Sequence, residues 1–173
     1  SWTDSYGDIK FCAGMSTTNL VDLVLKGRGY QVIDTAGVTW SSGTGNQLSI
    51  DAVEGSYTLE DNFTTLGVIT LRSGGFIHNG FNVQSRSYTM APSTISALYR
   101  YAEFGSGTIT LTGIGTVMTF NISGITSDLF DIDTGTSKII ISDASGSSKN
   151  IIANGVIFYD VQSNASGAGT FSM

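Results

Sequence analysis

Short apolar blocks separated by turn residues recur along almost the whole chain. The segments VITL at 68–71 and TITLT at 108–112 are typical, because apolar residues alternate with Thr. Alternation with a period of two is typical of β-strands, and most blocks end at Gly, Asn or Ser, which favour turns. The pattern predicts strands at residues 8–12, 21–25, 30–33, 47–50, 57–62, 68–71, 76–78, 81–84, 87–90, 95–101, 108–112, 117–122, 129–132, 138–141, 150–153 and 156–161.

Residues 19–26 also fit a helix, because Leu20, Leu23 and Val24 have helical spacing. The same segment alternates equally well as a strand, and Gly27 follows at once. Glycine directly after a short apolar block favours the strand interpretation. We therefore predict a strand at 21–25.

The composition indicates an all-β protein. The 173 residues include 22 Gly and one Pro, and only 13% are charged. Helical proteins draw heavily on Ala, Leu, Glu and Lys, whereas this chain combines β-branched and aromatic residues with glycine and asparagine.

Two all-β architectures accommodate so many short strands. One is an antiparallel β-sandwich built from hairpins, and the other is a β-solenoid in which coils of roughly 20 to 25 residues stack on each other. The Asn79–Gly80 and Asn154–Gly155 pairs are predicted turns in both, because hairpin turns and solenoid corners alike require positive φ.

The polar residues favour the solenoid. Its equivalent positions lie about 4.8 Å apart in successive coils, so like charges would repel each other. Polar positions here are mostly Thr, Ser and Asn. We predict a right-handed parallel β-solenoid, with an antiparallel β-sandwich as the alternative. Residues 56–173 would form the solenoid, and residues 1–55 a less regular β segment packed against it.

Three segments resemble a known group of proteins. They are SYTLEDNFTTLGVITLRSGGFIHNGFNV at 56–83, GSGTITLTGIGTV at 105–117 and TGTSKIIISD at 134–143. Their rhythm resembles that of β-solenoid structural proteins of phage particles and of related environmental bacterial surface proteins. The resemblance covers about residues 56–161. Tyr57 and Ile109 stand where Trp is usual, and both keep a large apolar side chain.

That resemblance implies a structural or adhesive role and supplies no catalytic residues. It implies a place in a fibre, an appendage or a capsid decoration, located on the virion or another extracellular surface. The chain begins with Ser1, and we expect it to be a segment of a longer protein.

Charge and hydropathy argue against two kinds of partner. The net charge is −6, and the eight basic residues are scattered along the chain. Nucleic-acid binders normally concentrate basic residues, because phosphate contacts supply much of their affinity. No run of 18 apolar residues is present, so no membrane-spanning helix is predicted.

The densest carboxylates are Asp128, Asp131 and Asp133. Asp131 and Asp133 would share one face of a strand, as two carboxylates of a glycosidase can. The three side chains are also weak calcium ligands in principle, because hard cations prefer oxygen. No basic or imidazole side chain follows closely to tune them, and a solvated edge or turn cap explains them more simply. We predict no catalytic residues, no metal and no cofactor.

His78 and Cys12 are the only residues of their kinds. A Ser-His-Asp triad would require His78, yet no Gly-x-Ser-x-Gly segment is present to hold a nucleophile. We predict a turn-edge or packed histidine. A lone cysteine in an all-β protein is typically a small buried hydrophobe, and we predict this for Cys12.

Aromatic residues are concentrated between positions 88 and 104. Exposed aromatic side chains anchor interfaces and stack on sugar rings. We predict a binding surface here, with packing in the core as the alternative, and we expect residues 93–103 to form a loop or an inserted element that faces a partner. The predicted binding residues are Tyr88, Tyr99, Tyr101 and Phe104.

Together these features predict a non-enzymatic virion structural protein that supplies rigidity and host attachment. Open solenoid ends expose unpaired strands, which association with other chains can cover. We therefore expect a homo-oligomer, and a trimer is the state we favour. Other virion proteins and a host-surface glycan are the expected further partners. A bacterial surface adhesin or filament, a carbohydrate-binding module and a polysaccharide-degrading enzyme remain alternatives.

Overall fold

The computed structural model describes residues 2–15, 22–40, 47–90, 98–120, 129–164 and 171–172. These residues form strands and no α-helix, which confirms the all-β prediction. The strands are β1 (Trp2–Ser5), β2 (Ile9–Lys10), β3 (Asp22–Leu25), β4 (Gly29–Asp34), β5 (Gln47–Leu59), β6 (Phe63–Thr64), β7 (Val68–Ile77), β8 (Val83–Ser85), β9 (Ser87–Met90), β10 (Arg100–Glu103), β11 (Thr108–Leu111), β12 (Gly115–Phe120), β13 (Phe130–Asp133), β14 (Lys138–Ile141), β15 (Lys149–Ile152), β16 (Asp160–Ser163) and β17 (Phe171–Ser172).

The strands lie in three stacks, and every ladder between described strands is parallel. The first stack is β1-β3-β5-β7-β9-β12-β15-β17. The second contains β2, β4, the second halves of β5 and β7, β10 and β13. The third is β6-β8-β11-β14-β16. Consecutive strands of the chain lie in different stacks, and each pairs with strands of the neighbouring windings. The fold is therefore a parallel β-solenoid. The alternative prediction of an antiparallel β-sandwich is wrong.

Winding length varies more than the sequence predicts. In the first stack, Ile69 pairs with Tyr88, 19 residues later, whereas Met118 pairs with Ile151, 33 residues later. The stacked strands remain paired, with one register shift between Thr116 and Met118 in this ladder, so most of the extra residues lie at the corners between strands.

The interior is filled by the inward side of each strand. Leu48, Ile69, Tyr88, Met118 and Ile151 follow one another along one ladder, and all are buried. Side chains of a strand alternate between its two faces, so stacked strands place one apolar row per face inside. These rows form one continuous hydrophobic core.

Predicted and observed strand positions agree best in regular windings. The strands Ser87–Met90 and Lys138–Ile141 match the prediction residue by residue. The predicted pairs 47–50 with 57–62, and 68–71 with 76–78, are each one long strand that passes round a corner. The segment 93–103, expected to be a loop or an inserted element, contains strand β10, while its residues 93–97 lie outside the described part of the chain.

Both Asn-Gly pairs form tight corner turns. Asn79 and Gly80 have φ of 55° and 79°, and Asn154 and Gly155 have φ of 47° and 89°. The Phe81 N–H donates to the His78 carbonyl at 2.9 Å, and the Val156 N–H to the Ala153 carbonyl at 3.0 Å. The turn at Asn79–Gly80 follows β7 in the second stack, whereas the turn at Asn154–Gly155 follows β15 in the first stack. They are therefore not repeats of one corner.

Glycines lie on top of each other at the corner after the second stack. A Cβ at Gly135 would approach the Gly105 carbonyl oxygen to 2.3 Å, and one at Gly107 would approach the Phe81 carbonyl oxygen to 2.2 Å. Successive windings make backbone contact here, which leaves no room for side chains.

The outer surface carries two polar ladders. The Asn62 amide oxygen accepts from the Asn82 N–H at 2.9 Å, and the Asn82 amide oxygen accepts from the Thr108 N–H at 2.8 Å. Elsewhere one surface is lined by charges that alternate in sign along the chain, namely Asp4, Lys26, Asp51 and Arg72. Lys26 and Asp4 are 2.9 Å apart. Neighbouring windings thus avoid like charges on this surface.

Candidate functional site

A groove lies at the corner between the first and second stacks. Its volume is about 530 Å³. We call it the tyrosine groove, and it is lined by Gly29, Tyr30, Val53, Glu54, Gly55, Ser56, Ser73, Gly74, Leu98, Tyr99, Tyr101 and Leu129.

An irregularity in β5 creates one wall of the tyrosine groove. Asp51 pairs with Ser73 and Ser56 with Gly75, so four residues of β5 pass the corner where β7 uses only Gly74. The surplus residues bulge outward, as extra residues in a ladder do. Glu54 lies in this bulge with φ of 60°, a conformation that few residues other than glycine adopt.

Glycines form the floor of the groove. A Cβ at Gly55 would lie 2.2 Å from the Gly27 carbonyl oxygen, and one at Gly74 would lie 2.0 Å from the Ala52 carbonyl oxygen. Neighbouring windings therefore touch through their backbones, and no side chain rises from these positions into the groove. The floor stays open for a ligand to lie across.

Tyrosines form the aromatic walls. The rings of Tyr99 and Tyr101 have centroids 5.6 Å apart and are tilted by 32°. Tyr99 is 44% exposed and Tyr30 is 91% exposed. A Cβ at Gly75 would lie 2.1 Å from Cζ of Tyr101, so that ring occupies the space above this glycine. The structure thus places the predicted Tyr99 and Tyr101 together and adds Tyr30.

Polar groups of the groove are few and acidic or neutral. Glu54 is the one charged side chain among the residues that line it. The buried Ser56 hydroxyl has no hydrogen-bond partner among the described residues. Burial raises the pKa of Tyr99, and the nearby Asp131 carboxylate raises it further. No basic side chain is among the residues that line the groove.

The other two predicted binding aromatics belong to the core. Tyr88 and Phe104 are both completely buried. Their ring centroids are 5.7 Å apart in an edge-to-face arrangement, and each also contacts Phe120. The prediction that they form a binding surface is wrong, because their ladder positions face the interior.

Two of the three predicted carboxylates lie in the described part of the chain. Asp131 and Asp133 are exposed on the same face of β13, as predicted, and Asp128 lies outside the described residues. Among the residues that the structure describes, no three His, Cys, Asp or Glu side chains are arranged to hold a metal ion.

The lone histidine and cysteine have opposite environments. His78 is completely buried between Phe76 and Phe104, with ring centroids 4.8 Å from each. Burial lowers the pKa of His78 to about 3, so its ring is neutral at pH 7. Cys12 is exposed, so the prediction of a buried cysteine is wrong.

Sequence reasoning missed two buried cations. Lys149 is buried, and its ammonium group lies 2.8 Å from the Asp143 carboxylate. Hydrogen bonding from Lys149 and then from Ser145 lowers the pKa of Asp143. Arg100 is also buried and donates to the Arg72 carbonyl. The sequence did not predict the burial of either side chain, because that burial depends on how windings distant in sequence stack on each other.

No family model, curated protein or solved structure matches this chain at a significant level. Within the described ranges, no helix has the length and hydrophobicity needed to cross a membrane.

Proposed function

We propose that this chain is a non-enzymatic structural segment of a surface appendage, and that the tyrosine groove is its attachment site. The observation that carries the proposal is the set of parallel ladders, which connect the described windings to each other through backbone hydrogen bonds. Such a solenoid resists bending and local opening, because its strands share one core.

A virus particle is the setting we favour, with a fibre, appendage or capsid decoration as the location. The segments at 56–83, 105–117 and 134–143 that resemble phage β-solenoid proteins support this setting. A bacterial adhesin or filament has the same physical requirements and is the alternative. In either setting the protein faces the exterior and contacts a host-surface glycan.

Self-association is suggested by an unpaired strand edge in the second stack. In the second stack β13 is hydrogen-bonded to β10 alone among the described strands, and Ile157 and Tyr159 nearby are 84% and 70% exposed. Exposed edges and apolar side chains of this kind are commonly covered by association. We propose a homo-oligomer, with a trimer as the expected state.

Two measurements test the structural role. Light scattering coupled to size-exclusion chromatography should give three times the mass of the chain, and negative-stain electron microscopy should show elongated particles of constant width. A monomer that stays monomeric at high concentration would contradict the oligomer, and compact round particles would contradict the rod.

A carbohydrate-binding module is the second candidate function. The exposed Tyr99 and Tyr30 in one groove favour it over an enzyme, because they supply stacking surfaces without a pair of tuned carboxylates. Turnover of a neutral polysaccharide by the purified protein, abolished in Asp131→Asn, would favour the enzyme instead.

A further inference from the structure

We infer that the tyrosine groove binds a neutral oligosaccharide, with sugar rings stacked on Tyr101 and Tyr30. This inference rests on the attachment role proposed above and names the ligand class of the same site. Three features of the groove lead to it, namely the spacing of its aromatic rings, its charge, and its glycine floor.

The spacing of the aromatic rings requires more than one sugar unit. Tyr30, Ser56, Gly75 and Tyr101 are successive partners on the outer side of the second stack. Tyr30 and Tyr101 are thus three strand spacings apart, or roughly 14 Å between Cα atoms. The ring of Tyr101 lies above Gly75 and so closes part of this gap. A single sugar ring cannot contact both tyrosines, whereas a short chain can.

The charge of the groove selects against acidic sugars. Glu54 lines the groove, and Asp131 lies beside Tyr99. A sulfated or uronic-acid chain would bring its charges close to these carboxylates, and like charges in a partly enclosed site repel each other. Neutral hydroxyl groups can instead donate to the Glu54 carboxylate.

The glycine floor leaves both rings accessible from one side. Between Tyr30 and Tyr101 the ladder contains only Gly75 and the small, buried Ser56, and no side chain rises from the neighbouring Gly55 and Gly74. An extended chain can therefore run parallel to the solenoid axis and stack on each ring in turn. Tyrosine suits this task, because it provides a large apolar face at a small loss of side-chain entropy.

Titration calorimetry with hexasaccharides tests the inference. The probes are cellohexaose, mannohexaose and chitohexaose as neutral chains, hexagalacturonic acid as the acidic chain, and glucose, mannose and N-acetylglucosamine as single units. We expect binding of at least one neutral hexasaccharide, binding of its single unit that is at least about tenfold weaker, and weaker binding of hexagalacturonic acid.

Matched variants locate the site. Tyr101→Ala and Tyr30→Ala should each weaken the best hexasaccharide at least about tenfold, because truncated aromatic anchors lose most of their contact energy. Tyr159→Ala is the control, since Tyr159 is 70% exposed and does not line the groove. Circular dichroism should show that all three variants keep the β-rich spectrum.

Four outcomes overturn the inference: no binding of any neutral hexasaccharide, preferred binding of hexagalacturonic acid, equal affinity for the single unit, or equal weakening by Tyr159→Ala. Each would leave the structural role intact if electron microscopy still shows rods. Compact monomers that bind cellohexaose through Tyr101 would contradict the structural role alone.

Discussion

The ring of Tyr101 lies directly over Gly75 of the neighbouring strand, where a Cβ on the glycine would come within 2.1 Å of Cζ. The two residues are paired in the ladder between β10 and β7. The absence of one side chain therefore sets the position of another, and the tyrosine groove depends on a residue that does not line it.

Gly75→Ala should impair the groove without unfolding the protein. The nearest atoms belong to the far end of the Tyr101 side chain, which can rotate away. We expect the free energy of unfolding to fall by less than about 1.5 kcal/mol, while the affinity for any ligand of the groove falls. Urea unfolding and titration calorimetry measure the two effects.

Gly74→Ala is the matched comparison. Its Cβ would meet the Ala52 carbonyl oxygen at 2.0 Å, and its φ is +76°. Backbone cannot rotate away, so we expect a loss of at least about 2 kcal/mol. Equal stability of the two variants would show that the ring of Tyr101 is not free to move.

Glycines at two different corners should separate the effect of steric crowding from the effect of backbone conformation on stability. Gly107→Ala would place a Cβ 2.2 Å from the Phe81 carbonyl oxygen, whereas Gly155→Ala meets nothing within 4 Å but has φ of +89°. We expect the free energy of unfolding to fall by about 3 kcal/mol in the first variant and about 1 kcal/mol in the second.

Gly146→Ala serves as the control for this pair, because nothing lies within 4 Å of its added Cβ. Its free energy of unfolding should change by less than about 0.5 kcal/mol. If Gly107→Ala behaves like this control in urea unfolding, the windings do not contact each other through their backbones at the corner.

Stability should fall in mild acid because of His78. Its pKa is about 3 in the folded protein, well below the value of about 6.5 in an unfolded chain. The unfolded state therefore binds a proton first as pH falls below 6.5, and the folded state loses about 1.4 kcal/mol per pH unit between pH 6 and pH 4.

His78→Phe should remove most of this dependence, because the aromatic shape is kept between Phe76 and Phe104 while the titrating group is lost. Tyr88, whose hydroxyl lies 3.5 Å from Nε2, does not titrate in this range because burial raises its pKa. Urea unfolding at pH 4.5, 5.5, 6.5 and 7.5 measures the slope. An equal slope in both proteins would refute the assignment.

The buried Lys149 should control the titration of Asp143. Hydrogen bonding from Lys149 is the main reason why the pKa of Asp143 is lowered. We expect Lys149→Gln to raise the pKa of Asp143 towards its ordinary value, as followed by carboxyl NMR. Lys138→Gln is the control, because Lys138 is paired with Asp160 instead, at 3.9 Å. An unchanged pKa in Lys149→Gln would contradict the assignment.

The sequence predicted the class of fold and most strands because alternation and turn residues are local signals. It could not distinguish two strands from one that bends, as at 47–59, because the corner of β5 is held by pairing with β7. It also missed β6, which is only two residues long.

The site was predicted in part for the same reason. Tyr99 and Tyr101 are close in sequence, whereas Tyr30 reaches the groove only through the stacking of windings. Tyr88 and Phe104 belong to the same aromatic segment, and their burial depends on which side of each strand faces the core. The sequence shows that residues alternate between the two faces of a strand. Which of these faces points into the core depends on how the chain turns at the corners.

Unequal winding length allows the corners of the solenoid to change in evolution independently of its core. Ladder partners lie between 19 and 34 residues apart, yet the strands above and below still pair in parallel. Insertions at a corner can therefore reshape a recognition surface while the inward-facing rows stay as they are. Such a scaffold can acquire a new target by mutation of its edges without renewed selection for foldability.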